Sequence, residues 1–123
     1  MIRKHMGITR RKMSHVIDEL YTALFHVGGT KADLHLVREE NGIRLLMKSD
    51  FLPQHREAVE DMAAMLQPVV RNPALVQSYW ELAGGDQYTS DSELSLVGQM
   101  LDDAKVTVGE NWVEMDLFVG FQQ

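Results

Sequence analysis

The stretch Ala32-Asp33-Leu34-His35-Leu36-Val37-Arg38-Glu39-Glu40-Asn41-Gly42-Ile43-Arg44-Leu45-Leu46-Met47-Lys48-Ser49-Asp50 decides how the rest of the chain is read. Residues 32–38 alternate, with Ala32, Leu34 and Leu36 on one side and Asp33, His35 and Val37 on the other; residues 43–49 gather Ile43, Leu45 and Met47 on one side. A period of two is the repeat of a strand, whose successive side chains point to opposite faces. Between the runs, Glu40-Asn41-Gly42 signals a tight turn, because Asn and Gly tolerate positive φ. The stretch predicts a β-hairpin.

Upstream of the hairpin, Met13, Val16, Ile17, Leu20, Leu24 and Val27 keep helical spacing, and Gly28-Gly29 supplies a left-handed stop. Downstream, Pro53 ends the second strand, and residues 54–70 place Val59, Met62, Ala63, Leu66 and Val69 on one helical stripe. Asn72-Pro73 opens a shorter helix carrying Val76, Tyr79, Trp80 and Ala83, which Gly84-Gly85 ends. A polar, mobile loop over 84–92 follows, and Ser90, Asp91 or Ser92 caps a fourth helix striped by Leu94, Val97, Met100 and Leu101. Strands over 105–108 and 112–119, joined by Gly109-Glu110-Asn111, form a second hairpin. The order αββαααββ, without βαβ alternation, predicts an α+β fold: a two-layer sandwich whose mixed or antiparallel sheet of two hairpins carries helices on one face.

The 123 residues suit one domain, and 45% hydrophobic against 24% charged side chain suffices for a packed core. Without cysteine there is no disulfide, thiolate nucleophile or thiolate-held metal. Residues 1–12 carry Arg3, Lys4, Arg10, Arg11 and Lys12 and no acid, so a chain of net charge −6 divides into a +5 arm and a −11 body over residues 13–123. That acidic body argues against nucleic-acid binding, which needs a basic surface to displace counterions. No apolar run nears the about 18 residues of a membrane span, and no signal-peptide core is present; a cytoplasmic protein is expected.

This order, with the residues at its joints, resembles the GHKL ATPase domain of sensor histidine kinases and anti-sigma-factor kinases. Residues 18–26, Asp18-Glu19-Leu20-Tyr21-Thr22-Ala23-Leu24-Phe25-His26, are similar to the family's first-helix motif, and Ile43–Asp50 to the strand that leads to its adenine-binding aspartate. Residues 94–101 are similar to the helix after the second glycine box, and 104–119 to the closing hairpin. The resemblance covers about residues 13–119 and implies a cleft holding ATP and magnesium. The chain departs from it at the chemical positions. Ala23 stands where the family has a metal-binding Asn and offers no oxygen to a hard cation. Phe51-Leu52-Pro53 follows Asp50 where glycines would let backbone approach the base. Thr89, Asp91 and Glu93 lie near the second glycine box, where carboxylates would repel a triphosphate from a helix N-terminus. The resemblance thus implies a degenerate member that has lost ATP binding and needs no cofactor.

Glu19, Asp50, Asp91 and Glu93 are the remnant-cleft candidates, and surface or capping carboxylates are the plainer reading of Glu19 and Asp50. With Asp86 the same acids would serve the alternative, a small-ligand or nucleotide-binding protein or weak ATPase in a remodelled cleft. Five scattered histidines give no helical metal pair, and neither a P-loop nor a Gly-x-Ser-x-Gly turn occurs. Met62, Met65 and Met100 read as core, with an adaptable binding face as the other possibility. Tyr79 and Trp80 are either buried or a protein contact, and Arg10, Arg11 and Lys12 a frayed terminus or a contact to an acidic partner or neighbouring subunit. The expected function is a non-catalytic regulatory module that binds a protein partner, self-associates as a homodimer and belongs, by resemblance, to a signalling or sigma-factor pathway.

Overall fold

The computed structural model describes residues 2–66 and 90–121. Among them the elements are α1 (Ile2–His26), β1 (Ala32–Glu39), β2 (Gly42–Asp50), a 3-10 turn (Pro53–His55), α2 (Arg56–Leu66), α3 (Ser90–Met100), β3 (Asp103–Val108) and β4 (Trp112–Gly120). The helix expected from Asn72-Pro73 to Gly84-Gly85 lies outside the described residues.

The four strands form one sheet in the order β1-β2-β4-β3, antiparallel throughout. Both hairpins share it because β2 and β4 pair over their full length, from Gly42↔Gly120 to Asp50↔Trp112. Leu45, Met47 and Ser49 of β2, Val113, Met115, Leu117 and Val119 of β4, and Ala104 of β3 point to the covered face. Onto it the helices lay Met13, Val16, Leu20 and Leu24 of α1, Val59, Met62 and Leu66 of α2, and Leu94 and Val97 of α3, with Leu101 just beyond it. Each such Leu, Met or Val withdrawn from water contributes about 1.5–3 kcal/mol before entropy is counted. α1 lies over β2 and β4, α2 over β3, and α3 packs on both helices. The result is a two-layer α+β arrangement.

Three details differ from the sequence expectation. The first helix begins at Ile2 rather than Met13, so residues 2–12 continue α1. Thr9 is fully buried there, and its hydroxyl donates to the Gly120 carbonyl at 3.2 Å, docking the basic segment on the end of β4. In the first hairpin no turn residue has positive φ. Gly42 is needed for space instead, since a Cβ there would stand 2.4 Å from the Phe118 ring and 2.5 Å from the Val119 carbonyl. The alternation of β1 does place Leu34 and Leu36 on the helix side, opposite Met47 and Leu45, yet both remain exposed, at 40% and 56%.

The α1 stop follows the glycine expectation. Gly28 has φ +85°; its N–H donates to the Phe25 carbonyl, and the Gly29 N–H to the Leu24 carbonyl at 2.8 Å. That pair of bonds satisfies the last carbonyls of a helix while the left-handed residue turns the chain. The Leu52 N–H donates to the Val27 carbonyl at 3.0 Å, fixing the end of α1 against the end of β2.

Candidate functional site

The residues singled out by the resemblance fall into three places. Asp50, at the end of β2, turns its carboxylate back onto the link between α1 and β1. Oδ1 accepts the N–H groups of Thr30 at 2.8 Å and Lys31 at 2.9 Å, and Oδ2 accepts the Thr30 hydroxyl at 2.5 Å. These donors, the Thr30 hydroxyl foremost, hold the carboxyl at about 2, below its ordinary value, because they favour the charged form. Both oxygens are thus engaged in tying Thr30 and Lys31 to the sheet. Glu19 lies half-buried on α1. Ala23 is buried at 6% exposure, and Phe51 at 3% belongs to the core. Leu52 is exposed and rests against Gly28, 2.6 Å from where a Cβ would be.

Asp91 and Glu93 fall in the first turn of α3, but their side chains lie outside the described residues, as do Tyr79, Trp80 and Asp86. Arg10 and Arg11 are exposed on α1, and Lys12 is half-buried. Met62 is buried, while Met65 and Met100 pack partly buried against the core. Among the described residues no three His, Asp or Glu side chains gather closely enough to hold a metal ion, and no helix is long and apolar enough to cross a membrane.

Two features escaped the sequence reading. The first is the uncovered face of the sheet. There Arg44 of β2 donates from Nε to Glu39 of β1 at 2.9 Å and from a terminal nitrogen to Asp116 of β4 at 2.6 Å, while its guanidinium stands 5.0 Å from the Phe118 ring centre. The two carboxylates, Glu39 first, raise the Arg44 pKa further above its already high value. Lys48 lies 5.5 Å from the centre of the Trp112 ring. Beside them a shallow concavity of about 510 Å³ opens between Asp33, His35, Lys48, Lys105, Glu114 and Asp116. Its lining mixes both signs of charge, so no single charge type is selected by it.

The second feature is an apolar flank. Tyr21 and Phe25 of α1 are 57% and 65% exposed, and with Leu34 and Leu36 they are among the large apolar side chains left in water. Because α1 runs parallel to β2, with Met13, Val16, Leu20 and Leu24 downward, right-handed helical rotation turns Ile17 and Tyr21 toward β1. The opposite flank of α1, with Val16 and Ala23, is where α3 packs. The i,i+4 spacing of Tyr21 and Phe25, off the core stripe, was the signal available in the sequence. No protein-family model, curated protein or solved structure matches this chain.

Proposed function

We propose that the chain is a non-catalytic regulatory module that acts by binding protein, built on a GHKL-type, histidine-kinase-like fold that no longer serves nucleotide chemistry. The observation that carries the reading is Phe51. It follows the carboxylate that would hold adenine and opens the run Phe51-Leu52-Pro53, which stands in place of the family's glycine-bearing stretch, and it is packed into the hydrophobic core. The neighbouring Asp50 spends both oxygens on Thr30 and Lys31. Ala23, buried and without a side-chain oxygen, adds that a hard cation would lack the ligand that the family's Asn supplies, leaving Glu19 as its only motif ligand on the first helix.

The partner class that the resemblance implies is a component of a sensor-kinase or sigma-factor pathway, met in the cytoplasm. Exposed aromatic and leucine side chains, rather than a polar cleft, are the surface such a module offers. Titration calorimetry of the chain with ATP and magnesium tests the non-catalytic half directly. No binding heat is expected at micromolar protein; micromolar affinity or measurable hydrolysis overturns it.

A further inference from the structure

We propose that β1 is a self-recognition strand: two copies of the chain pair their β1 edges antiparallel about a two-fold axis at His35, joining two four-stranded sheets into one of eight. The proposal deepens the protein-binding reading, on which it rests, by naming a second copy as the partner.

The backbone argument comes first. In an antiparallel pair, the residues bonded to one neighbour alternate with residues whose N–H and C=O point away from it. The Asp50 N–H donates to the Lys31 carbonyl, and the Asp50↔Lys31 phase continues through Asp33↔Lys48, His35↔Leu46 and Val37↔Arg44. Odd-numbered residues of β1 therefore address β2, and Ala32, Leu34 and Leu36 direct their N–H and C=O groups outward. β1 is an edge strand with exposed side chains along nearly its whole length. Two of the usual guards are missing: no proline interrupts it, and its register with β2 runs without a bulge from Ala32↔Ser49 to Glu39↔Gly42.

The occupant is argued from self-complementarity, which an interface about a two-fold axis demands. Pairing centred on His35 sets Leu34 of each copy opposite Leu36 of the other, so four leucines meet as two apolar pairs on the helix side. The same register sets Lys31 opposite Glu39 at both ends. Shifting the centre to Leu36 would instead oppose Asp33 to Glu39 twice and Leu34 to Arg38; shifting it to Leu34 would oppose Leu36 to Ala32 and Lys31 to Val37. Like charges directly opposed are destabilising, whereas opposite charges and matched aliphatic pairs stabilise. Ile17 and Tyr21 of each copy would then flank the four joined leucines, which puts the exposed part of the α1 surface over the same contact.

The register makes one sharp demand. Since His35 addresses β2, the two His35 residues would form a non-hydrogen-bonded pair with Cα atoms about 4.5 Å apart, within reach of a disulfide. The chain contains no cysteine, so His35→Cys introduces a unique thiol. Under mild oxidation H35C should form a covalent dimer quickly. Asp33→Cys and Val37→Cys should each form no covalent dimer alone and cross-link when mixed, because that register opposes position 33 to position 37. Sedimentation of the unmodified chain should show a dimer at twice 14.0 kDa, and Leu36→Pro, which removes one outward N–H, should weaken it at least tenfold. Leu34→Lys provides a second variant should the proline disturb folding, with circular dichroism and thermal melting confirming the fold of each. A monomer at all concentrations, a dimer indifferent to both variants, or cross-linking of D33C alone overturns the proposal. Loss of the dimer would leave the chain free to bind a different protein, whereas ATP turnover would end the non-catalytic reading without touching the strand pairing.

Discussion

Leu36 and Ala104 stand at opposite ends of one row across the sheet. Leu36 pairs with Leu45, Leu45 with Leu117, and Leu117 with Ala104, all on the face that carries the helices. At the β3 end of the row a small residue is buried to 7% exposure beneath α2. At the β1 end a large apolar residue is 56% exposed. The β3 edge follows the usual management of an edge, being short and carrying Asp103, Lys105 and Thr107 on its open side. The β1 edge is longer and leucine-bearing, and no described element covers it. Size at the two ends is thus the reverse of what a monomer minimising exposed apolar area would choose, an asymmetry that the proposed β1 pairing would resolve.

The largest expected effect breaks this comparison outright. Ala104→Asp buries a charge with no partner under α2 and should lower stability by about 3 kcal/mol or more, while Leu36→Asp, at the other end of the same row, should cost at most about 1 kcal/mol. Urea unfolding at concentrations low enough to exclude association measures both, and equal losses would mean that β1 is covered as well. Next in size is Gly28→Ala, which forces a Cβ into a residue at φ +85° and against Leu52. That strain should remove about 1–2 kcal/mol, read from the thermal midpoint, and it acts at the bend that delivers the chain from α1 to the open edge.

A smaller effect is confined to acid. The Asp50 carboxyl holds its proton more weakly when folded, at about 2, than in its ordinary state at 3.8. Its contribution is therefore whole above about pH 4 and fades as the pH falls through 2. Asp50→Asn should be less stable at neutral pH yet lose less stability between pH 4 and 2 than the parent, seen as a shallower acid limb in a series of melts. The smallest change belongs to the open face, where Lys48→Ala removes a solvent-exposed cation from the Trp112 ring at an expected cost of about 0.5 kcal/mol. A larger loss would show that this face, and not β1, is the organised surface.

Strand positions were legible because a period of two survives any tertiary context. The runs 32–38, 43–49 and 112–119 lie within a residue or two of β1, β2 and β4. Helix stripes such as Val59, Met62 and Leu66 were equally plain, since each had to reach one face. The start of α1 was not, because the charges of residues 1–12 and Gly7 obscure the helical spacing there, and a buried Thr9 hydroxyl that bonds the Gly120 carbonyl leaves no sign in the sequence. Alternation also names a face without saying what covers it. Leu34 and Leu36 read like Leu45 and Met47 in sequence, and only the placement of α1 over β2 and β4 leaves the first pair in water. Asp50 carries a parallel ambiguity. A carboxylate at a strand end looks the same in sequence whether it holds a ligand or its own chain, and the donors that engage it here, on Thr30 and Lys31, lie about twenty residues away.

The pairing of β2 with β4 bears on how the chain reaches this state. The first hairpin closes across Glu40-Asn41 and needs only local contacts, which form within microseconds. Its union with the second hairpin brings together groups such as Arg44 and Asp116, 72 residues apart, and contacts of that separation form slowly. A first hairpin formed ahead of that union would offer the outer edge of β1 while the core above β2 was still open. If β1 pairs as proposed, refolding yield should therefore fall as protein concentration rises.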